Sequence, residues 1–159
     1  MSIIAIDPGT SNTGIVHMDE ARIIDAETFS FKEPVKADQL KLMQRAHDIA
    51  VLIYEWMAPR EHDHVVIEGF VTFHGRQSGY TYQTPYLCGF IHAALAGEHF
   101  VIQTSRQVLN SRTRGNVAAY KRAMEQGRDV WGDCSMLTND HLRSAAAHGI
   151  YHYIHRGEI

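Results

Sequence analysis

Residues 4–15 read Ile-Ala-Ile-Asp-Pro-Gly-Thr-Ser-Asn-Thr-Gly-Ile, and the parsing of this stretch decides the architecture. Ser2–Asp7 is an apolar run of Ile3, Ile4, Ala5 and Ile6 that ends in a carboxylate, the pattern of a short buried strand. Asp7-Pro8-Gly9-Thr10 is a turn by composition, because proline restricts φ and glycine tolerates positive φ. Two further strands are expected at Gly14–Asp19 and Arg22–Phe29, joined by the polar Asp19-Glu20, so the first third of the chain reads as a three-stranded meander.

Further along, Leu40, Met43, His47, Ala50, Tyr54 and Met57 recur at spacings of three and four, predicting a long amphipathic helix over Ala37–Met57 that Pro59 closes. His64-Val65-Val66-Ile67-Glu68 repeats the opening pattern, an apolar strand ending in an acid. Pro85–Ala96 suits a buried helix and His99–Gln103 a strand. A helical turn near Ser105–Leu109, a helix near Val117–Gln126 and a closing helix over His141–Ile154 follow. In the closing helix Leu142, Ala145, Ala146, Gly149, Ile150 and Tyr153 form one stripe. This order implies an α/β fold, a mixed sheet with helices packed on its faces.

At 159 residues the chain is expected to form one domain spanning 1–159. Apolar residues at 45% and charged residues at 21% match globular usage and argue against disorder. No apolar run reaches the ~18 residues of a membrane span, and the N-terminus lacks the basic n-region of a signal peptide. Cys88 and Cys134 form no CxxC, which argues against a disulfide framework or a cysteine-rich zinc site and fits a reducing cytoplasm, with an organellar setting left open. The net charge of −3 does not advertise nucleic acid. Residues 104–128, however, carry Arg106, Arg112, Arg114, Lys121, Arg122 and Arg128 against the single acid Glu125: either a solvated helix face or a surface for phosphates.

The chemistry is expected where the two acid-terminated strands meet. If they are neighbours, Asp7 and Glu68 emerge at one edge of the sheet, and two carboxylates held close form a natural site for a hard cation such as Mg²⁺. The alternative is that each acid merely ends its strand. Thr138-Asn139-Asp140-His141-Leu142-Arg143-Ser144 opens the last helix; Asp140 serves there as a helix cap, as a ligand, or as both, and His141 and Ser144 share a face. After Glu68, Phe70, Phe73, His74, Arg76, Tyr80 and Tyr82 interleave aromatics with charge, which suits stacking on unpaired bases, although Phe70 also fits a core position. His148, His152 and His155 share spacing on the last helix and read as a polar face rather than a zinc site, since a fourth ligand is missing.

Several of these segments, in order, resemble the RuvC-type Holliday junction resolvases of the RNase H-like superfamily. IAIDPGTSNTGI (4–15) is similar to the family's opening strand and turn, and VVIEGF (65–70) to its second acidic strand. TSRQVLNSRTRGNVAAYKRAM (104–124) is similar to its basic region, and HLRSAAAHGIYH (141–152) to its alanine-rich last helix. The resemblance runs over nearly the whole chain. It implies an RNase H-like fold with a five-stranded mixed sheet, three antiparallel N-terminal strands followed by parallel ones. It also implies a metal-dependent endonuclease that resolves four-way junctions by paired nicks, acting as a homodimer built on the helix near residues 86–96.

Carried over residue by residue, the resemblance makes Asp7 and Glu68 the first two metal ligands. The family's remaining pair, three residues apart, falls on His141 and Ser144. Ser144 stands where the family normally has Asp, so Asp140 is expected to turn inward and supply the missing oxygen beside His141, with Ser144 as a weaker ligand. Lys121 falls near a lysine used at the scissile phosphate. Leu109 replaces another family lysine, leaving Arg112 or Arg114 to compensate, with Arg122 beside Lys121. Phe73, then Phe70, would enter the junction, with Arg76 and Tyr80 on the DNA. Two Mg²⁺ ions per site, with Mn²⁺ as a substitute, would carry out phosphodiester hydrolysis.

Three other readings stay open. A nuclease of the same fold, such as a phage-type enzyme, could act on forks and flaps as well. Ser144 and Leu109 suit a catalytically impaired module that only binds junctions. Asp7-Pro8-Gly9-Thr10 also matches the phosphate loop of sugar-kinase or actin-like ATPases, but those need two such domains and the chain has room for one.

Overall fold

In a computed structural model, residues 1–31, 38–69, 83–104, 107–108 and 134–157 are described. Strands β1 (Ser2–Asp7), β2 (Asn12–Asp19) and β3 (Arg22–Ser30) form the expected antiparallel meander. After helix α1 (Gln39–Met57), β4 (His64–Gly69) lies parallel to β1. After helix α2 (Gln83–Ala94), β5 (Phe100–Thr104) lies parallel to β4. The sheet order is β3-β2-β1-β4-β5. A short 3₁₀ turn at Cys134–Met136 leads into helix α3 (Asp140–Arg156). The predicted α/β class and mixed five-stranded sheet are thus observed.

The central strands are apolar on both sides because both faces are covered. Ile4, Ile6, Val65 and Ile67 pack with Ile49, Ile53, Leu87 and Ile91 under α1 and α2. The alternate residues Ile3, Ala5 and Val66 pack with Leu142, Ala145, Ala146, Ile150 and Tyr153 under α3. Helix α3 approaches the sheet very closely. A Cβ on Gly149 would stand 2.6 Å from Met18 Sδ, and one on Gly14 only 2.5 Å from the His141 carbonyl carbon. Gly14 lets the start of α3 settle directly on β2, and Gly149 lets the later turns settle on β1 and β2.

The face that α1 buries differs from the expected one. Leu42, Ala46, Ile49, Ala50, Ile53 and Met57 point inward, whereas Leu40 is 75% and Tyr54 53% exposed. The helix carries apolar residues around most of its circumference, so two stripes satisfy the same spacing. The one with two alanines and two isoleucines allows close packing on the sheet.

Candidate metal site

Strand parity and register build the site. Residues 3, 5 and 7 of β1 face α3, as do 66 and 68 of β4 and 101 and 103 of β5, because successive side chains alternate across a strand. In the β1–β4 register Ala5 pairs Val66 and Ile6 pairs Ile67, which makes Asp7 and Glu68 the next neighbours. In the β4–β5 register Glu68 pairs Gln103. A row Asp7–Glu68–Gln103 therefore crosses three adjacent strands on one face of the sheet.

Helix α3 lies over this row. His141, Ser144 and His148 occupy one helical stripe and meet it in order. His141 Nδ1 is 3.0 Å from Asp7 Oδ2. Ser144 Oγ donates to Glu68 Oε2 at 3.0 Å. His148 Nε2 is 3.4 Å from the same Glu68 oxygen, and its Nδ1 is 3.2 Å from Gln103 Oε1. The turn after β1 is held by Thr13, which is fully buried: its hydroxyl donates to the Gly9 carbonyl at 2.8 Å and accepts from the Gly9 N–H at 3.3 Å. Asn139 caps α3, its Oδ1 accepting from Leu142 N at 3.0 Å while its Nδ2 donates to Thr28 Oγ1 on β3 at 2.8 Å.

The site is electrostatically loaded. Burial pushes the Asp7 carboxyl up to about 6, and the charge and hydrogen bonding of Glu68 push the same way, while His141 pulls against them. On the α2 side, Cys88 lines a cavity of about 480 Å³ that reaches Glu68. Burial first, then the negative charge of Glu68 and Asp7, push its thiol up to about 11, so at neutral pH it is a thiol and not a thiolate ligand.

Of the residues singled out from the sequence, Asp7, Glu68, His141 and Ser144 come together. Asp140 does not turn inward: its side chain is 96% exposed and takes an N–H from Arg143 at 2.6 Å. Nor is it the cap, which is Asn139. The backbone enters α3 one residue earlier than expected, and the packing of Gly14 on His141 sets the helix rotation so that 141 and 144 face the sheet. His148 and His152 are 2% and 5% exposed, so the predicted polar face is buried at those two positions. Phe70, Phe73, Arg76, Tyr80, Arg112, Arg114, Lys121 and Arg122 lie outside the described residues. Gln103 and the contact from His148 to Glu68 were missed. Strand parity, counted from Val101 to 103, is the signal that points to Gln103.

No family model matches the chain, and no curated protein matches it. Solved structures do. A structure described as T. thermophilus RuvC in complex with Holliday junction substrate superposes with a TM-score of 0.70 at 19% identity, covering 99% of this chain and 97% of that one. A second Thermus thermophilus RuvC structure gives 0.70 at 18% identity, covering 99% and 98%. The Fowlpox virus resolvase, solved with substrate Holliday junction DNA, gives 0.55 at 12% identity, covering 94% and 97%. The chain thus has the RNase H-like fold of the RuvC resolvase structures, matched over almost its full length.

Proposed function

We propose that this protein is a metal-dependent endonuclease that cuts branched DNA, with the four-way junction as its first substrate. The observation that carries this reading is the meeting of Asp7 and Glu68 on adjacent parallel strands under the start of α3. The two RuvC structures and the viral resolvase add support, since one RuvC and the viral protein were solved with Holliday junction DNA.

The residues present fit a divalent cation. Two mostly buried carboxylates in contact repel each other, and a cation between them would relieve both the repulsion and the burial that push Asp7 upward. Their oxygens are hard ligands of the kind Mg²⁺ or Mn²⁺ takes. Asp7 and Glu68 would hold the metal, with His141 beside Asp7. Among the described residues, no three acidic, histidine or cysteine side chains form a ready-made cage. That suits an ion that keeps several water and phosphate oxygens. Once bound, the metal supplies activation of the attacking water and stabilisation of the leaving oxygen. The chain's own contribution is to hold the two carboxylates on a rigid sheet and to anchor them from α3. Paired nicks on symmetric strands would need two such sites related by a two-fold axis, so a homodimer belongs to the same proposal.

Ser144 favours a second reading, a junction-binding module without cleavage, because its hydroxyl sits on Glu68 where a third carboxylate would add charge. One assay separates the two. Four-way, three-way and flap substrates are incubated with the protein in Mg²⁺ and in Mn²⁺, alongside Asp7→Asn. Symmetric nicking of the four-way junction, lost in Asp7→Asn with binding retained, is the expected result. Binding without nicking in either metal establishes the second reading, and cleavage by Asp7→Asn in Mg²⁺ removes the carboxylate pair from the reaction.

A further inference from the structure

His148 touches Glu68 from α3 but is not one of the residues that would hold the metal, and it is 2% exposed in the middle of the helix. Its neighbours along the helix, Ala145, Ala146, Ala147 and Ile150, are all buried and apolar. A large aliphatic residue at 148 would extend that packing, whereas a buried imidazole is costly unless its nitrogens find partners. Each nitrogen faces a polar group, and both groups belong to the row across the sheet. Nδ1 lies 3.2 Å from Gln103 Oε1, itself on a side chain that is 5% exposed, and Nε2 lies 3.4 Å from Glu68 Oε2. The Ser144 hydroxyl donates to the same oxygen at 3.0 Å. Two groups from one helix therefore converge on one oxygen of Glu68. The register partner of Glu68 on β5, Gln103, meets the other nitrogen of the imidazole.

We propose that His148 is a positioning residue for the cleavage reaction: gripped by Gln103, it fixes the rotation of the Glu68 carboxylate that receives the divalent cation. This rests on the nuclease reading. The row also assigns the order of dependence. Gln103 orients His148, His148 and Ser144 orient Glu68, and Glu68 presents its oxygens beside Asp7. Partners of this kind fix ligand geometry without touching the metal, and their loss typically weakens metal affinity or activity about 10–100-fold.

The test uses the full chain as wild type, His148→Leu, His148→Gln and the double variant His148→Leu with Gln103→Leu. The readouts are kcat and KM on a four-way junction in Mg²⁺, a Mn²⁺ binding isotherm without DNA, and the thermal midpoint. His148→Leu should lower kcat about 10–100-fold with KM for the junction unchanged, and should weaken Mn²⁺ binding by a similar factor. His148→Gln, which keeps an N–H donor, should recover part of both. In the double variant no buried amide is left without its partner, so the midpoint should return toward wild type while kcat stays low.

That last divergence separates positioning from mere packing. If kcat recovers with the midpoint in the double variant, or if His148→Leu leaves kcat unchanged, the proposal is overturned. A wild-type chain that cuts no branched DNA in either metal breaks the nuclease reading itself, and the positioning role falls with it.

Discussion

Ile4, Ile6, Val65 and Ile67 face α1 and α2, and each is at most 4% exposed. The alternate residues of the same strands, Ile3, Ala5, Asp7, Val66 and Glu68, face α3, and there the apolar row ends in two carboxylates. The same two strands thus carry a purely aliphatic face and a face that turns polar at its C-terminal end. Alternation along a strand makes this division possible, since one face can be optimised for burial without altering the other. The aliphatic face supplies stability. The α3 face gives some of it up, because like charges are held together on a sheet that cannot move apart. A site that destabilises its own fold in the absence of a ligand is the expected mark of a place built to bind one.

The division can be broken first from the aliphatic side. Ile49 on α1 is fully buried against Ile4, Ile6 and their neighbours. Ile49→Ala should cost about 4 kcal/mol of unfolding free energy in urea, within the usual range for a buried isoleucine. At a temperature where the variant remains folded, its kcat should match wild type. A parallel loss of kcat would show that the two faces are coupled through the sheet.

From the other side the sign reverses. Asp7 takes up a proton at about 6 in the fold, against the ordinary 3.8 of an aspartate. The fold therefore binds this proton more tightly than the unfolded chain does. The stabilisation from protonation is complete below pH 3.8 and is lost as pH rises through 6. Above that pH the charged carboxylate opposes folding. Asp7→Asn removes the charge and should raise stability at pH 8 by up to about 3 kcal/mol, since one pKa unit is worth about 1.4 kcal/mol. The gain should fade toward pH 4. In the presence of Mg²⁺ the order should invert: the ion stabilises wild type by mass action, and Asp7→Asn, with its ligand removed, should gain little. Equal stability of the two proteins at pH 8 without metal would contradict the electrostatic account of this face.

Much of this was readable in the residues. Five strands, the two acid-terminated ones among them, could be placed from short β-branched runs, and the pairing of Asp7 with Glu68 follows once those strands are neighbours. Phase around helices was harder to read. Helix α1 offers two apolar stripes, and Leu40 and Tyr54 belong to the exposed one. In α3 each residue turns the side chain by about 100°, so a one-residue difference in where the helix settles exchanges Asp140 for His141. That choice is made by a tertiary contact, the missing Cβ of Gly14 against the His141 backbone, which no local pattern reports. His148 was legible as a position but not as a partner of Glu68, because its contact depends on Gln103 arriving from a third strand.

The first turn of α3 gives the finest test of the comparison. Asn139 and Asp140 are adjacent polar residues: Asn139 caps the helix at Leu142 N and ties it to β3 through Thr28 Oγ1, whereas Asp140 pairs with Arg143 one turn on. Asn139→Ala should cost about 1 kcal/mol, the usual worth of a cap. It should also lower kcat, because His141 rides on the turn the cap secures. Asp140→Ala, by contrast, removes an exposed carboxylate that pairs with the partly buried Arg143. Its stability should stay within the scatter of the unfolding curve and its kcat should equal wild type. If Asp140→Ala abolishes cleavage as Asp7→Asn does, then α3 rotates when DNA and metal bind, and the working site uses 140 where the free protein presents 141 and 144. If only Asn139→Ala responds, the orientation seen here is the working one, and the row from Asp7 to Gln103 is met by the same helix face during catalysis.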